Sequence, residues 1–192
     1  EVELVRDAGA DIIQMDDAHL CLFVDPDVRA QYEDPDKAAD FAVDMVNQMI
    51  DGIEGVYLAL HLCRRAGARA RGERRHTGGY EPIIDQLNRL KVHHLTMEFT
   101  TPGAGEFSVL KDLREDLDFG LVCIDVTPGR VDDIDEVVER IKGATRRIAV
   151  ERITLNPDCG FSPGLEGTMP LEEPYQKLKN EAAAARRLRQ QY

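Results

Sequence analysis

Segments with strand-like and helix-like patterns alternate along almost the whole chain, and this alternation restricts the fold more than any other feature. Short apolar runs predict strands at residues 11–16, 56–62, 93–99, 120–126 and 152–156. Helical spacing of apolar residues predicts helices at residues 2–9, 36–50, 81–90, 107–116, 133–144 and 171–190. An alternation of this kind is typical of a parallel α/β architecture.

Side chains alternate between the two faces of a strand, and each predicted strand has one face made only of apolar residues. These faces carry Ile13 and Met15; Val56, Leu58, Leu60 and Leu62; Leu95 and Met97; Val122 and Ile124; and Ile153 and Leu155. The opposite faces become polar toward the C-terminal ends of the strands, at Asp16, His61, Glu98 and Asp125. Helices outside and chemistry at the C-terminal mouth are typical of a TIM-type (β/α)8 barrel. The polar faces disfavour a doubly wound open sheet, in which helices bury both faces, without excluding it.

The number of strands is too small for a closed barrel. Five strands are predicted, whereas a barrel of this class has eight strands and about 250 residues. The chain also begins within a helical pattern. We therefore expect residues 1–192 to form the C-terminal portion of a single β/α barrel domain, with the N-terminal strands outside this chain. Either the missing N-terminal barrel segment or self-association is then expected to cover the open edges.

The composition argues against two classes of function. A formal net charge of −12 over 192 residues disfavours general nucleic-acid binding, which requires a basic surface. No uninterrupted apolar run approaches the roughly 18 residues that a membrane span needs. With 43% hydrophobic residues and no secretory signal pattern at Glu1, the sequence predicts a soluble, cytoplasmic protein.

An arginine-rich segment forms a basic island in this acidic chain. It comprises Arg64, Arg65, Arg69, Arg71, Arg74 and Arg75. Two interpretations remain open, because the segment could bind an anionic small molecule or form a solvated loop. His76, which follows the last arginine, is interpreted as solvated, with anion binding as the alternative.

His61 and Cys63 are two residues apart on a predicted strand, which places both side chains on one face. Imidazole and thiolate are good zinc ligands, but a His-x-Cys pair on its own is weak evidence. Glu98 ends the inner face of the next strand, and Cys159 follows the last strand. Three strands would therefore bring all four residues to one end of a barrel, where they are candidate ligands for Zn2+.

A carboxylate among these candidates suits a catalytic zinc site better than a structural one. Structural sites usually have four Cys or His ligands from close-spaced loops, whereas these residues are spread over about a hundred positions. A substrate thiol can replace a carboxylate, and zinc then holds the sulfur as the nucleophilic thiolate. The four cysteines are too scattered for a disulfide framework, and we interpret Cys21 and Cys123 as core thiols.

Four segments of the sequence resemble one known family. They read IIQMDDAHL, LALHLCR, LTMEFT and ITLNPDCGF, in the order and spacing seen in cobalamin-independent methionine synthases and their shorter relatives. The resemblance covers nearly the whole chain and implies a β/α barrel fold. It also implies a catalytic zinc ion, whose ligands would be His61, Cys63, Glu98 and Cys159. Asp16 would hold the amino group of homocysteine.

Two further segments near the predicted mouth bear on the substrates. His19 is a second candidate for substrate contact, with a structural role in the loop as the alternative. The methionine synthases carry a His-Ser-Pro segment after the strand before the last, and its His is associated with protonation of the folate. Here the segment is Asp125-Val126-Thr127-Pro128, so the resemblance assigns neither the proton donor nor the methyl donor.

Three functions are compatible with the sequence. The first is a zinc-dependent methyltransferase that moves a methyl group from a small-molecule donor, of 5-methyltetrahydrofolate type or another, to the thiol of homocysteine. Asp16 favours this function because a cationic amino group attracts a carboxylate. The second is alkylation of another thiol, such as coenzyme M by an epoxide, which the arginine-rich segment favours. The third is an inactive barrel fragment with a structural metal, which the missing strands favour.

Overall fold

A single five-stranded parallel sheet, in the order β1-β2-β3-β4-β5, organises the protein. The computed structural model describes residues 1–65, 72–74, 76–161 and 170–192. The strands are β1 (Ile12–Asp17), β2 (Tyr57–Leu62), β3 (His94–Glu98), β4 (Asp118–Ile124) and β5 (Ile153–Pro157). Each corresponds to a predicted strand, with its ends displaced by at most two residues.

The helices lie between the strands, as predicted for a β/α chain. They are α1 (Val2–Asp7), α2 (Ala18–Leu22), α3 (Pro26–Arg29), α4 (Pro35–Met49), α5 (Ile84–Arg89), α6 (Ile134–Thr145) and α7 (Glu172–Arg189). Short 3-10 segments occur at Glu81–Ile83, Pro102–Ala104, Phe107–Asp112, Val150–Arg152 and Asp158–Phe161. In the part of the chain that the structure describes, no helix is long and apolar enough to cross a bilayer.

Two of the three longest helices, α4 and α6, begin at residues whose side chains satisfy free backbone N–H groups. At α4, Asp34 accepts a hydrogen bond from the N–H of Lys37, and Pro35 takes the first helical position. At α6, Asp133 and Glu136 form a capping box. The buried faces of these helices pack on the outer face of the sheet, and this contact is the hydrophobic core.

The predicted helix at residues 107–116 is wrong, because the segment forms only the 3-10 turn Phe107–Asp112. The side chain of Asn88 makes hydrogen bonds with backbone groups that would otherwise be bonded within a helix. It donates to the carbonyl of Asp112 at 3.0 Å and accepts from the N–H of Arg114 at 2.8 Å. A hydrogen bond from a distant side chain thus overrides the local helical pattern.

The strand register shows which residues share a face, because partners in a parallel pair project to the same side of the sheet. Leu60 pairs with Met15 on the outer face, against the helices. His61 pairs with Asp16 and Thr96 on the opposite, inner face. The predicted faces are therefore confirmed for β1, β2 and β3.

The predicted faces are wrong for β4. Val122 pairs with Glu98 and Asn156 and so lies on the inner face. Leu121 pairs with Met97 and lies on the outer face, in the core. The sequence of β4 is apolar on both faces, so the alternation of polarity could not separate them.

Gly120 marks the inner face of β4. A Cβ atom at this position would lie 2.6 Å from both the Cε1 of His94 and the Oδ1 of Asn156, so a larger residue does not fit among the inner side chains. An irregularity of register between Val122 and Ile124 then returns Ile124 to the core.

The sheet does not close into a barrel. Among the described residues, β1 pairs only with β2 and β5 only with β4. At the first edge, Ile12 is 65% exposed. At the other edge, a groove of about 650 Å³ separates β5 from α7 and is lined largely by apolar side chains, among them Ile153, Leu155, Leu178 and Ala182. The arrangement is that of part of a TIM-type barrel, as the sequence predicted.

Candidate metal centre

Three of the four predicted metal ligands meet at the C-terminal end of the sheet. His61 is buried on the inner face of β2, and Cys63 follows the end of that strand. Cys159 reaches the same point from the turn after β5. The candidate ligand atoms of the three residues lie within 4.8 Å of one another, and the two Sγ atoms are 3.2 Å apart. An imidazole nitrogen and two sulfurs form a donor set that suits zinc.

An unusual turn brings Cys159 to this position. Cys159, Gly160 and Phe161 have consecutive positive φ angles of 43°, 51° and 67°. A non-glycine residue in this left-handed region costs on the order of 1 kcal/mol, so two such residues in one turn store strain. Strain of this kind persists where the surrounding structure requires it, which is typical of a functional turn. Asp158 is fully buried at the start of this turn.

Asp16 orients the imidazole of His61. The two residues are register partners on β1 and β2, and the Oδ1 of Asp16 lies 3.1 Å from the Nδ1 of His61. When Nδ1 donates its proton to this carboxylate, Nε2 is the nitrogen with a lone pair for a metal. This contact was not predicted from the sequence. The feature that indicates the contact is position, because Asp16 and His61 are each the penultimate residue of their strand and the two strands are adjacent.

The environment of Cys63 favours its thiolate form. The contact with the Sγ of Cys159 and the hydrogen bond from the N–H of Arg65, at 3.3 Å, lower the pKa of the Cys63 thiol, although burial opposes them. The two other cysteines behave as predicted for core thiols. Burial raises the pKa of Cys21 to about 12, and it does the same for Cys123.

Glu98 lies at the same end of the sheet but outside the group of three. It is 1% exposed and occupies the C-terminal end of β3. Its Oε1 accepts hydrogen bonds from the hydroxyls of Thr100, at 3.1 Å, and Thr101, at 3.4 Å. Tyr80 holds the main chain of Glu98, because its hydroxyl accepts from the N–H at 2.9 Å and donates to the carbonyl at 3.3 Å.

The chain matches a protein-family model over almost its whole length. Residues 1–187 match the family described as "Cobalamin-independent synthase, Catalytic domain". The chain belongs to this family. The resemblance found in the four sequence segments is therefore confirmed.

Relatives of this synthase family resemble the chain over most of its length. The uncharacterized protein YxjH of Bacillus subtilis is 29% identical over 179 residues, which cover 90% of this chain and 47% of that protein. A methionine synthase of Pyrococcus abyssi is 27% identical over 192 residues, which cover 100% of this chain and 47% of that protein. The chain thus spans about half the length of these curated relatives.

A solved structure shares the fold. It is a B12-independent methionine synthase from Shewanella sp. W3-18-1 in complex with selenomethionine, with a TM-score of 0.78 and 18% sequence identity. The similarity covers 100% of this chain and 52% of that chain. The five-stranded sheet therefore corresponds to a part of a known synthase architecture.

Two aspartates, Asp17 and Asp125, shape loops at the mouth. Asp17 caps α2, where its Oδ1 accepts from the N–H of His19 at 2.7 Å and of Leu20 at 3.0 Å. Asp125 closes its own turn, where its Oδ1 accepts from the N–H and the hydroxyl of Thr127 at 2.8 and 2.7 Å. The side chain of His19 is exposed in the first turn of α2, outside the group of three candidate ligands.

Where the structure describes it, the arginine-rich segment has one buried arginine and two whose side chains are about half exposed. Arg69, Arg71 and Arg75 lie outside the described residues. Arg64 is only 3% exposed, so it is neither solvated nor open to a ligand. Arg65 forms an ion pair with Glu73, in which its Nη2 lies 3.5 Å from the Oε2 of the glutamate.

The remaining described arginine belongs to a cluster around Asp25, which is fully buried. The Oδ atoms of Asp25 accept from Arg74 at 2.9 Å and from the N–H of Thr77 at 3.0 Å, and the Nδ1 of His76 lies 3.3 Å away. Burial would raise the pKa of Asp25, but the hydrogen bonds from Arg74, Thr77 and Asp27 outweigh it and lower the pKa to about 2. His76 is therefore anchored, and the expectation that it is solvated is wrong.

Proposed function

We propose that the chain is the metal-binding portion of a zinc-dependent methyltransferase that acts on the thiol of homocysteine. The observation that carries this proposal is the convergence of His61, Cys63 and Cys159 at the C-terminal end of the sheet. Membership of the cobalamin-independent synthase family supports it, as do relatives that are named methionine synthase.

Four residues would hold the metal. His61 through Nε2, Cys63 and Cys159 are three protein ligands, and Glu98 is the fourth. Zinc, when bound, supplies the charge that keeps a substrate thiol deprotonated at neutral pH. Glu98 suits a ligand that gives way to substrate, because the hydroxyls of Thr100 and Thr101 continue to solvate its carboxylate. A buried carboxylate without such partners would resist leaving the metal.

Asp16 would bind the amino group of the substrate. Its side chain is 71% exposed at the mouth of the sheet while its Oδ1 contacts His61. A carboxylate at this point attracts the ammonium group of an amino-acid thiol and repels a sulfonate. Two of the arginines that favoured a sulfonate-bearing thiol, Arg64 and Arg74, bind groups of the protein itself. Homocysteine is therefore the favoured acceptor over coenzyme M.

Metal analysis of matched cysteine variants tests the proposal. The wild-type chain should bind about one zinc ion, since a catalytic site of this type holds one metal. Cys63→Ser and Cys159→Ser should lose it, whereas Cys123→Ser, a core thiol outside the group, should retain it. Full zinc retention by both ligand variants would contradict the site. Bound zinc without methyl transfer to homocysteine, tested with several methyl donors, would instead favour the inactive-fragment hypothesis.

A further inference from the structure

Arg64 is a buried cation directly adjacent to a candidate zinc ligand, Cys63. Its guanidinium donates from Nη1 to the carbonyl of Gly78 at 2.8 Å and from Nη2 to the carbonyl of Ala104 at 3.1 Å. Gly78 lies in the connection after β2 and Ala104 in the turn after β3. One side chain thus links the two loops that follow the strands carrying Cys63 and Glu98.

Tyr80 extends this link to Glu98 itself. The Cζ of Arg64 lies 4.4 Å from the centre of the Tyr80 ring, a cation–π contact in a fully buried setting. The hydroxyl of the same tyrosine holds both the N–H and the carbonyl of Glu98. Contacts therefore run without a gap from Arg64 through Tyr80 to the main chain of the carboxylate residue.

The charge of Arg64 also needs an explanation, because burying a cation is costly without a compensating negative charge. Its contacts with Gly78, Ala104 and Tyr80 are contacts with neutral groups. Glu98 is close enough for its charge to interact with that of the guanidinium. Two thiolates and a carboxylate around a zinc dication would leave a net negative charge next to Arg64. The buried cation and this donor set would stabilise each other.

We propose that Arg64 is a positioning residue of the metal centre. It fixes the strand ends that carry Cys63 and Glu98, through Tyr80 and the two carbonyls, and its charge favours the anionic donor set. This inference rests on the proposed zinc site. It also explains why an arginine follows the His-x-Cys pair and lies buried there.

Arg152 offers a matched control at the other end of the sheet. It too donates to backbone carbonyls, from Nε to Leu117 at 2.8 Å and from Nη2 to Arg114 at 3.1 Å. It also lies over an aromatic ring, with Cζ 5.2 Å from the centre of Phe119. Arg152 precedes β5, so it is remote from the candidate ligands. Loss of either arginine removes hydrogen bonds to backbone carbonyls and a contact with an aromatic ring, but only loss of Arg64 should affect the metal.

The test measures Co2+ binding to the reduced chain, by competition with a chelator and by the visible absorption of the bound ion. Arg64→Met should weaken Co2+ binding about tenfold or more, because interactions with a charged group are worth this much. Arg64→Lys keeps the charge and should recover most of the affinity. Arg152→Met should bind Co2+ as the wild type does, with folding of all variants checked by circular dichroism.

Tyr80→Phe provides a second readout if Arg64→Met does not fold. The variant keeps the ring under Arg64 but loses the hydroxyl, so it should shift the visible bands of bound Co2+ in the direction that Glu98→Gln shifts them. The inference is overturned if Arg64→Met binds Co2+ as well as Arg152→Met does, or if Tyr80→Phe leaves the bands unchanged. Failure of the wild-type chain to bind Co2+ or Zn2+ at all would instead refute the proposed metal centre.

Discussion

A single carboxylate, Asp16, combines two tasks that one substitution can separate. Asp16→Asn keeps an oxygen that can accept from the Nδ1 of His61, so zinc content should not change. The variant loses the negative charge that would hold the ammonium group of homocysteine. We expect kcat/KM for homocysteine to fall about tenfold or more, since a charge-assisted hydrogen bond is worth roughly 1.5–3 kcal/mol. An unchanged kcat/KM at full zinc occupancy would point to a thiol substrate without an amino group.

Individual site residues could be predicted where a local spacing fixes their direction. His61 and Cys63 share a face because side chains alternate along a strand, and the structure places them together. The burial of Arg64 could not be predicted, because its partners Gly78 and Ala104 lie in two loops whose approach depends on the whole fold. Arg64 is buried although the other described arginines of the segment are about half exposed, a difference that a run of arginines in the sequence does not indicate.

Elements were predicted correctly where the two faces of a strand or helix differ in polarity. The capped helices α4 and α6 and all five strands have such signals or clear apolar runs. β4 has apolar residues on both faces, so its orientation depended on its neighbours and was predicted wrongly. The prediction of a helix at residues 107–116 was wrong for a related reason. The backbone conformation of this segment depends on a hydrogen bond from the side chain of Asn88, which lies on another element, α5.

The helix α7 carries a carboxylate, Glu181, that should make stability depend on pH. It lines the groove beside β5, is 8% exposed, and its Oε2 has no hydrogen-bond partner among the described residues. Burial raises its pKa to about 7 from an ordinary 4.5. Between these two values the folded state binds more protons than the unfolded state, so the free energy of unfolding falls as pH rises.

Glu181→Gln should remove this dependence. We expect the variant to gain on the order of 2 kcal/mol over the wild type at pH 8, and little at pH 4, in urea unfolding. Glu173→Gln on the same helix is the control with the opposite sign. Burial favours a higher pKa for Glu173. The ion pair with Lys177 at 2.9 Å and the hydrogen bond from the N–H of Gly129 outweigh burial and lower that pKa. Its loss should destabilise the protein at pH 8, and a stability gain in both variants would contradict the assignment to Glu181.

At the scale of the whole molecule, both edges of the sheet lack a paired strand among the described residues, and part of the inner face is exposed there. The chain spans about half the length of its curated relatives, and its sheet is part of a barrel rather than a closed one. Unpaired strand edges beside exposed apolar groups favour pairing with another chain. Ile12, 65% exposed on β1, and the groove between β5 and α7 are the two places where such pairing would begin.

We therefore predict that the 192-residue chain on its own self-associates through these edges, with a mass that rises with concentration in light scattering. Ile12→Lys places a charge on the edge strand β1 and should shift the chain toward monomer, because an edge lysine opposes strand pairing. Val131→Lys is the control, since Val131 is also exposed, at 41%, but lies in the loop before α6. It should leave the mass unchanged. The prediction is contradicted if the chain stays monomeric at every concentration and Ile12→Lys has no effect on the mass. The sheet edges would then not drive association.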